Sequence, residues 1–234
     1  MNKYDISDTT SYSLGMSLTI EALQQKSKYI KQIILSDKAH KNEQLSFLLD
    51  LCRKNSIEPI YDEKTIEKLS LKENCYCIGV FDKFYSDLKS NKHIVLYGFN
   101  DFGELGTILR SAVSFNFKDI VLVNCDIDYF DPRCIRASMG SIFHTNIVRF
   151  NSLKDYESKY PKQNIIPFIS FSDKELNELN VVDNYSLIIS QNYYGLDEIY
   201  KKGYYIKHNN LDDISLSVRA SVILNYVYSL NLKR

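Results

Sequence analysis

Short apolar runs alternate along this chain with stretches whose apolar residues recur at helical spacing. Up to about Asp82 the pattern predicts a helix in SLTIEALQQK (17–26), a strand in IKQIILS (30–36), a helix in NEQLSFLLDLCRKN (42–55), a strand in IEPIYD (57–62), a short helix in EKTIEKLS (63–70) and a strand in NCYCIGVF (74–81). In the second helix Leu45, Leu48, Leu49 and Cys52 fall at i, i+3, i+4 and i+7, a stripe that must pack on a sheet. A compact small α/β sandwich is expected.

FYSDLKSNKH (84–93) has no periodicity and carries Ser, Asp, Asn and Lys, so a linker is expected at 87–92, between a domain of residues 1–86 and one of 93–234. A second series follows: strand HIVLYGF (93–99), helix LGTILRSAVSF (105–115), strand DIVLVN (119–124), a loop and helix through DPRCIRASMGSIF (131–143), strand NIIPFIS (164–170), helix DKELNEL (173–179), strand SLIIS (186–190) and a long last helix SLSVRASVILNYVYSL (215–230). Short apolar strands alternating with helices predict a parallel sheet covered on both faces. Ligands bind such sheets at the carboxyl ends of the strands, which directs attention to the loops after IVLYG, NIIPFIS and SLIIS and to the start of the last helix. Neither G-x-G-x-x-G after the first strand nor G-x-x-x-x-G-K-[ST] is present, which disfavours a dinucleotide or nucleoside triphosphate site.

The 234 residues suffice for two modest domains or one extended one, and 44% hydrophobic with 25% charged residues is ordinary globular usage. A net charge of zero means that any nucleic-acid binding must come from local patches. The first residues lack a signal-peptide pattern and no apolar run approaches the roughly 20 residues of a membrane span, so the cytoplasm is the expected address. The five cysteines include no C-x-x-C pair and are read as buried reduced thiols, with Cys75 and Cys77 on one strand face. No metal cluster and no Ser/His/Asp or Cys/His arrangement is visible, which disfavours hydrolase chemistry.

Four ordered segments resemble the three motifs, and an Arg-Ala-Ser-x-Gly run between the first two, of the SpoU-like (TrmH-like) branch of the SPOUT RNA 2′-O-ribose methyltransferases. NDFGELGTILRSAVSF matches the first at Gly106, Ile108, Arg110, Ser111 and Ala112, with Glu104 at the family's Asn. DPRCIRASMGSIF matches the family's Arg-Ala-Ser-x-Gly run at Arg136, Ala137, Ser138, Gly140 and Phe143. LIISQNYYGL keeps Gly195 and Leu196 of the second motif, with Ser190 at its first Gly and Asn192 at its Glu; YIKHNNLDDISLSVRA keeps Ser217 of the third, with Asp213, Ile214 and Ser215 at its S-L-N.

The resemblance implies a front ribosomal-protein-like RNA-binding domain and a rear SPOUT α/β trefoil-knot domain that forms a homodimer, S-adenosylmethionine as cofactor, structured rRNA or tRNA as substrate, and no metal. Carried residue by residue, it places Arg110, Glu104, Asn192 and Ser215 at catalytic positions and Ser170, Phe171, Ser190, Gln191, Gly195, Leu196, Tyr205, Ile206, Ile214 and Ser217 at cofactor positions. The stripe Leu105, Ile108, Leu109 and Ala112 leaves Arg110 off the core, in the amino-terminal half of its helix, where a guanidinium can clamp a phosphate and polarise a hydroxyl. Glu104 is a candidate proton acceptor or a helix-start carboxylate, and Ser215 a candidate helix cap. Arg133, Arg136, Lys201 and Lys202 are the candidate RNA contacts. The alternative is a noncatalytic RNA-binding or ribosome-assembly protein that keeps the fold, suggested by Glu104, Ser190, Asn192 and Ser215 standing where the family has Asn, Gly, Glu and Asn.

Overall fold

The computed structural model describes residues 3–70, 74–169, 174–190, 200, 202–209 and 214–232. Its contacts gather into two compact units, Met1–Phe84 with Asp128–His144, and Tyr85–Ile127 with Thr145–Arg234. The segment 128–144, read from sequence as part of the rear domain, counts with the first unit.

The first unit is built on a sheet in the order β1-β4-β2-β3, from β1 (Thr10–Leu14), β2 (Ile30–Leu35), β3 (Ile60–Tyr61) and β4 (Cys77–Asp82). Alternation along β2 divides its side chains between two cores. Ile33 and Leu35 join Met16, Ile20 and Leu23 of α1 (Met16–Lys26) and Leu48 and Cys52 of α2 (Leu45–Lys54). Ile34 faces the other way, with Tyr12, Ile78 and Val80, against Ile66 and Leu69 of α3 (Glu63–Leu69). Asp62 starts α3 by accepting the Thr65 N–H at 3.0 Å. The cysteines are all buried and free, but Cys75 and Cys77 do not share a face. The strand begins only at Cys77, and Cys75 packs in the core with Tyr12 while Cys77 packs with α1 and α2.

Segment 128–144 is tied into this unit by aromatic and polar contacts. Helix α5 (Pro132–Ala137) starts at Asp131, whose carboxylate accepts the Arg133 N–H at 2.8 Å, with Pro132 in the first turn. Ser11 donates to the Phe130 carbonyl at 2.5 Å, and the Phe81 ring lies 5.4 Å from Phe143, edge to face, and 6.3 Å from Phe130. Gly140 has φ +85, and a Cβ there would lie 3.0 Å from that of Glu21, so both backbone and space require glycine.

The second unit holds a seven-stranded sheet in the order β7-β6-β5-β10-β8-β11-β9, parallel throughout its described pairings. The strands are β5 (Lys92–Tyr97), β6 (Asp119–Val123), β7 (Asn146–Phe150), β8 (Asn164–Phe168), β9 (Lys174–Glu175), β10 (Tyr185–Ser190) and β11 (Tyr204–Tyr205). Val95, Val121 and Ile188 pack with Leu153 and Tyr156 of α6 (Leu153–Lys159), while α4 (Phe102–Ser114) and α7 (Leu216–Leu232) lie against each other. The 87–92 stretch is anchored: Lys89 and Ser90 donate their N–H groups at 3.0 and 2.5 Å to Asp119, a buried carboxylate that Asn146 also reaches at 2.7 Å. The helix expected in DKELNEL is instead β9 followed by a single 3-10 turn, Leu176–Glu178. Pairing of Lys174 and Glu175 with Tyr204 and Tyr205 outweighs the weak propensity of seven residues for a helix.

His93 is buried in a polar chain. Its Nε2 lies 2.9 Å from the Ser90 carbonyl and its Nδ1 2.7 Å from the Tyr156 hydroxyl, which reaches Ser186 Oγ at 2.5 Å. Burial lowers its pKa below the ordinary 6.5, against opposing effects of Ser90 and Asp119. The folded chain therefore takes up this proton less readily than the unfolded one. Stability from the neutral ring is complete above the ordinary histidine value and is lost as pH falls through the lowered folded value. Urea midpoints should fall from about pH 7.5 to about pH 5, and His93→Asn should flatten that fall. An unchanged slope in the variant would assign the pH dependence to other groups.

Candidate active site

The sheet brings four strand ends to one edge. β10 pairs through Ser190 with Tyr97 at the end of β5, and on its other side with β8 up to Phe168; β11 joins β8 at Tyr204. Just beyond, the Ile169 N–H donates to the Tyr204 carbonyl at 2.9 Å. This approach depends on Gly203, because a Cβ there would lie 2.2 Å from the Pro167 carbonyl oxygen. The carboxyl edge of an open parallel sheet is where ligands bind.

The starts of α4 and α7 meet through one hydrogen bond. Asp101 caps α4 by accepting the Glu104 N–H at 2.7 Å, and the Glu104 carboxylate turns away from its own helix to accept the Ser217 N–H at 2.7 Å. An anion at the exposed amides of α7 suits the positive end of that helix. Ser215 completes the cap, its Oγ accepting the Val218 N–H at 3.4 Å. Farther along, Ser111 and Ser221 hydroxyls meet at 2.7 Å.

Arg219, which the sequence reading passed over, is 4% exposed and donates from Nη1 to the Ser190 carbonyl at 2.7 Å. Ser190 is itself buried and its Oγ donates to the Tyr97 carbonyl at 3.2 Å. The last residue of β10 is therefore held by a guanidinium as well as by its own side chain. The available signal was a cation on the helix face that carries Leu216, Ala220, Ile223 and Val227, all buried.

Of the residues predicted from sequence, Glu104, Ser215 and Ser217 meet at the start of α7, and Ser190 is tied to the same helix through Arg219. Ile214 is half-buried just before α7, and Tyr205 and Ile206 are half-buried at and just after β11. Arg110 is exposed, past the midpoint of α4 rather than in its amino-terminal half, and its side chain makes no hydrogen bond or ion pair among the described residues. Lys202 is exposed. Arg133 and Arg136 lie in the first unit, exposed one turn apart on α5. Ser170, Phe171, Gln191, Asn192, Gly195, Leu196 and Lys201 fall outside the described residues. Among those described, no group of His, Cys, Asp and Glu could hold a metal ion, and no helix is long and apolar enough to cross a membrane.

A parallel sheet flanked by helices, with polar contacts gathered at its carboxyl edge, defines an α/β domain of the class that binds ligands at that edge. Residues 91–200, a little under half of the chain, match the SpoU rRNA Methylase family. Among solved structures, the AdoMet-bound rRNA methyltransferase from Sinorhizobium meliloti is similar with a TM-score of 0.76 at 20% identity, covering 94% of this chain and 87% of that one. The SpoU methyltransferase AviRb from Streptomyces viridochromogenes, in complex with AdoMet, gives a TM-score of 0.77 at 15% identity over 97% of this chain and 92% of that one. An RNA 2′-O ribose methyltransferase gives 0.76 at 17% identity, covering 97% and 90%. These likenesses establish the SPOUT fold. No curated protein is similar enough in sequence to count as a relative.

Proposed function

We propose that this protein is an S-adenosylmethionine-dependent methyltransferase acting on a ribose 2′-OH of rRNA or tRNA. The observation that supports it most is the gathering of the ends of β5, β8 and β10, all within the segment that matches the SpoU family, beside β11 and the linked starts of α4 and α7. The residues at that edge suit this cofactor. Ser190 ends β10 at this edge, and Tyr205, Ile206 and Ile214 offer half-buried surface for an adenosine. Ser190, Tyr205, Ile206, Ile214 and Ser217 would hold it, together with the backbone around Ser170, Phe171, Gln191, Gly195 and Leu196.

When bound, the cofactor would supply a methyl group activated on a sulfonium. The chain has to align the 2′-oxygen and let its proton depart. Arg110 is the residue suited to the first task, because a solvent-facing guanidinium can clamp a phosphate and polarise the adjoining hydroxyl. Glu104 holds Ser217 and thereby the start of α7, which makes it a positioning residue; its carboxylate remains the proton acceptor available beside α7. Asn192 and Ser215 complete the catalytic set, and Arg133, Arg136, Lys201 and Lys202 would meet RNA phosphates.

Val218 and Val222, one turn apart on α7, are 50% and 39% exposed. We read this face as a homodimer surface of the rear domain, in a knotted cytoplasmic enzyme. Light scattering should give twice the chain mass at tens of micromolar protein, and a monomer mass would refute the dimer. Calorimetry with S-adenosylmethionine and S-adenosylhomocysteine tests the function itself. Micromolar binding is expected; absence of binding to either would favour the noncatalytic RNA-binding or assembly protein.

A further inference from the structure

We propose that a cavity in the first unit captures one unstacked nucleotide of the RNA, its base against the cavity wall and its phosphate on the basic rim. The cavity has a volume of about 380 Å³, within the range of small-ligand sites. Leu14, Leu69 and the ring of Tyr12 supply apolar wall, and Lys3, Lys68 and Arg133 supply three cations against the two carboxylates of Glu67 and Asp131. This inference rests on the reading of the protein as an RNA methyltransferase and names a place where its substrate is gripped.

Two features of the wall are set before any ligand arrives. The Tyr4 hydroxyl donates to Asp128, and the Lys83 ammonium stands 4.9 Å from the Tyr4 ring centroid while donating to the Ile6 carbonyl at 2.8 Å. Burial, then the bond to Asp128, keeps that phenol protonated. Arg133 donates from Nε and Nη2 to the two Asp131 oxygens at 2.9 and 2.8 Å, which fixes the plane of a guanidinium whose side chain is 63% exposed. Fixed rings and guanidinium planes bind a flat partner without ordering costs of their own. Sequence-selective RNA proteins use this pair of surfaces for bases splayed out of a single strand.

The rim points to a nucleotide within a strand rather than a free one. Lys3 and Lys68 are exposed, and Arg136 presents another exposed cation one turn beyond Arg133. Several solvent-facing cations beside one cavity suit the phosphates of a polymer better than the single phosphate of a free nucleotide.

The test uses the full chain and a single-stranded RNA octamer containing 4-thiouridine. Photocross-links mapped by mass spectrometry should fall on the peptides bearing Tyr4, Tyr12 or Lys68. Lys68→Glu changes an exposed side chain and Arg133→Gln keeps a donor for Asp131, so both should fold normally while weakening octamer affinity by about tenfold each. Cross-links confined to other peptides, affinities within about twofold of the parent, or no octamer binding at roughly 100 µM would each overturn the proposal. AMP or UMP binding as tightly as the octamer would overturn the assignment to RNA. Calorimetry with S-adenosylmethionine on the same samples keeps the two readings apart. Cofactor binding without cavity cross-links sinks the cavity alone, whereas cavity cross-links without cofactor binding sink the methyltransferase and leave the RNA grip standing.

Discussion

Arg110→Ala is expected to leave folding and cofactor binding nearly intact and to collapse methyl transfer. The residue is exposed on α4, off the stripe of Leu105, Ile108, Leu109 and Ala112 that is buried there. Exposed substitutions of this kind usually change stability by about 0.5 kcal/mol or less. In the catalytic role proposed for Arg110, turnover depends on a different quantity, because losing a charge-assisted contact to the reacting group costs on the order of 100-fold or more in rate. Arg110→Lys should recover little, since an ammonium cannot reproduce the planar fork of a guanidinium. Single-turnover methylation of RNA by parent and variants, beside their thermal melts, measures both effects. Equal rates would reduce Arg110 to a solvated helix residue.

Phe81→Ala should produce the largest loss of stability in the first unit. Phe81 is 1% exposed and meets Phe84, Phe130 and Phe143 with ring centroids 5.4–6.3 Å apart. Removing a buried ring leaves both lost transfer energy and a cavity, about 3–5 kcal/mol together. Its contacts join β4 to segment 128–144, so the loss should release that segment as well as weaken the sheet. Urea unfolding followed by circular dichroism should show a much lower midpoint, and hydrogen exchange should quicken at Asp131–Phe143. A midpoint shift corresponding to less than about 1 kcal/mol would mean that the aromatic cluster collapses around the vacancy without loss.

Where the chain writes its burial in apolar periodicity, the elements were legible. The α2 stripe packs as read, with Leu48 and Cys52 buried and Leu45 and Leu49 against them. β1 was not legible because its inward residues include Ser11 and Ser13, both 0% exposed and hydrogen-bonded, Ser11 to the Phe130 carbonyl and Ser13 to Thr19 and Gly79. Buried serines carry no hydrophobic signal. β7 and α6 were missed for a related reason: NIVRF and LKDYESK are short, and their place is set by β6 and by the buried ring of Tyr156.

At the site, motif spacing singled out Arg110, Glu104, Ser190, Ser215 and Ser217, but not what they do to one another. The Glu104–Ser217 bond joins residues 113 positions apart, and the Arg219–Ser190 bond joins residues 29 apart. Pairings made by packing one helix start on another, or a helix on a strand end, leave no local pattern to read. The grouping of 128–144 with the first unit is of the same kind, since it rests on contacts with β1, α1 and β4 rather than on any break in composition.

The most direct measurement is transfer of labelled methyl groups from S-adenosylmethionine into total RNA from cells lacking the protein, followed by digestion to nucleosides. A methyltransferase of this design gives label in 2′-O-methyl nucleosides from rRNA or tRNA, abolished by Arg110→Ala. RNA that stays unlabelled across a range of salt and temperature, with the parent protein folded, would contradict it.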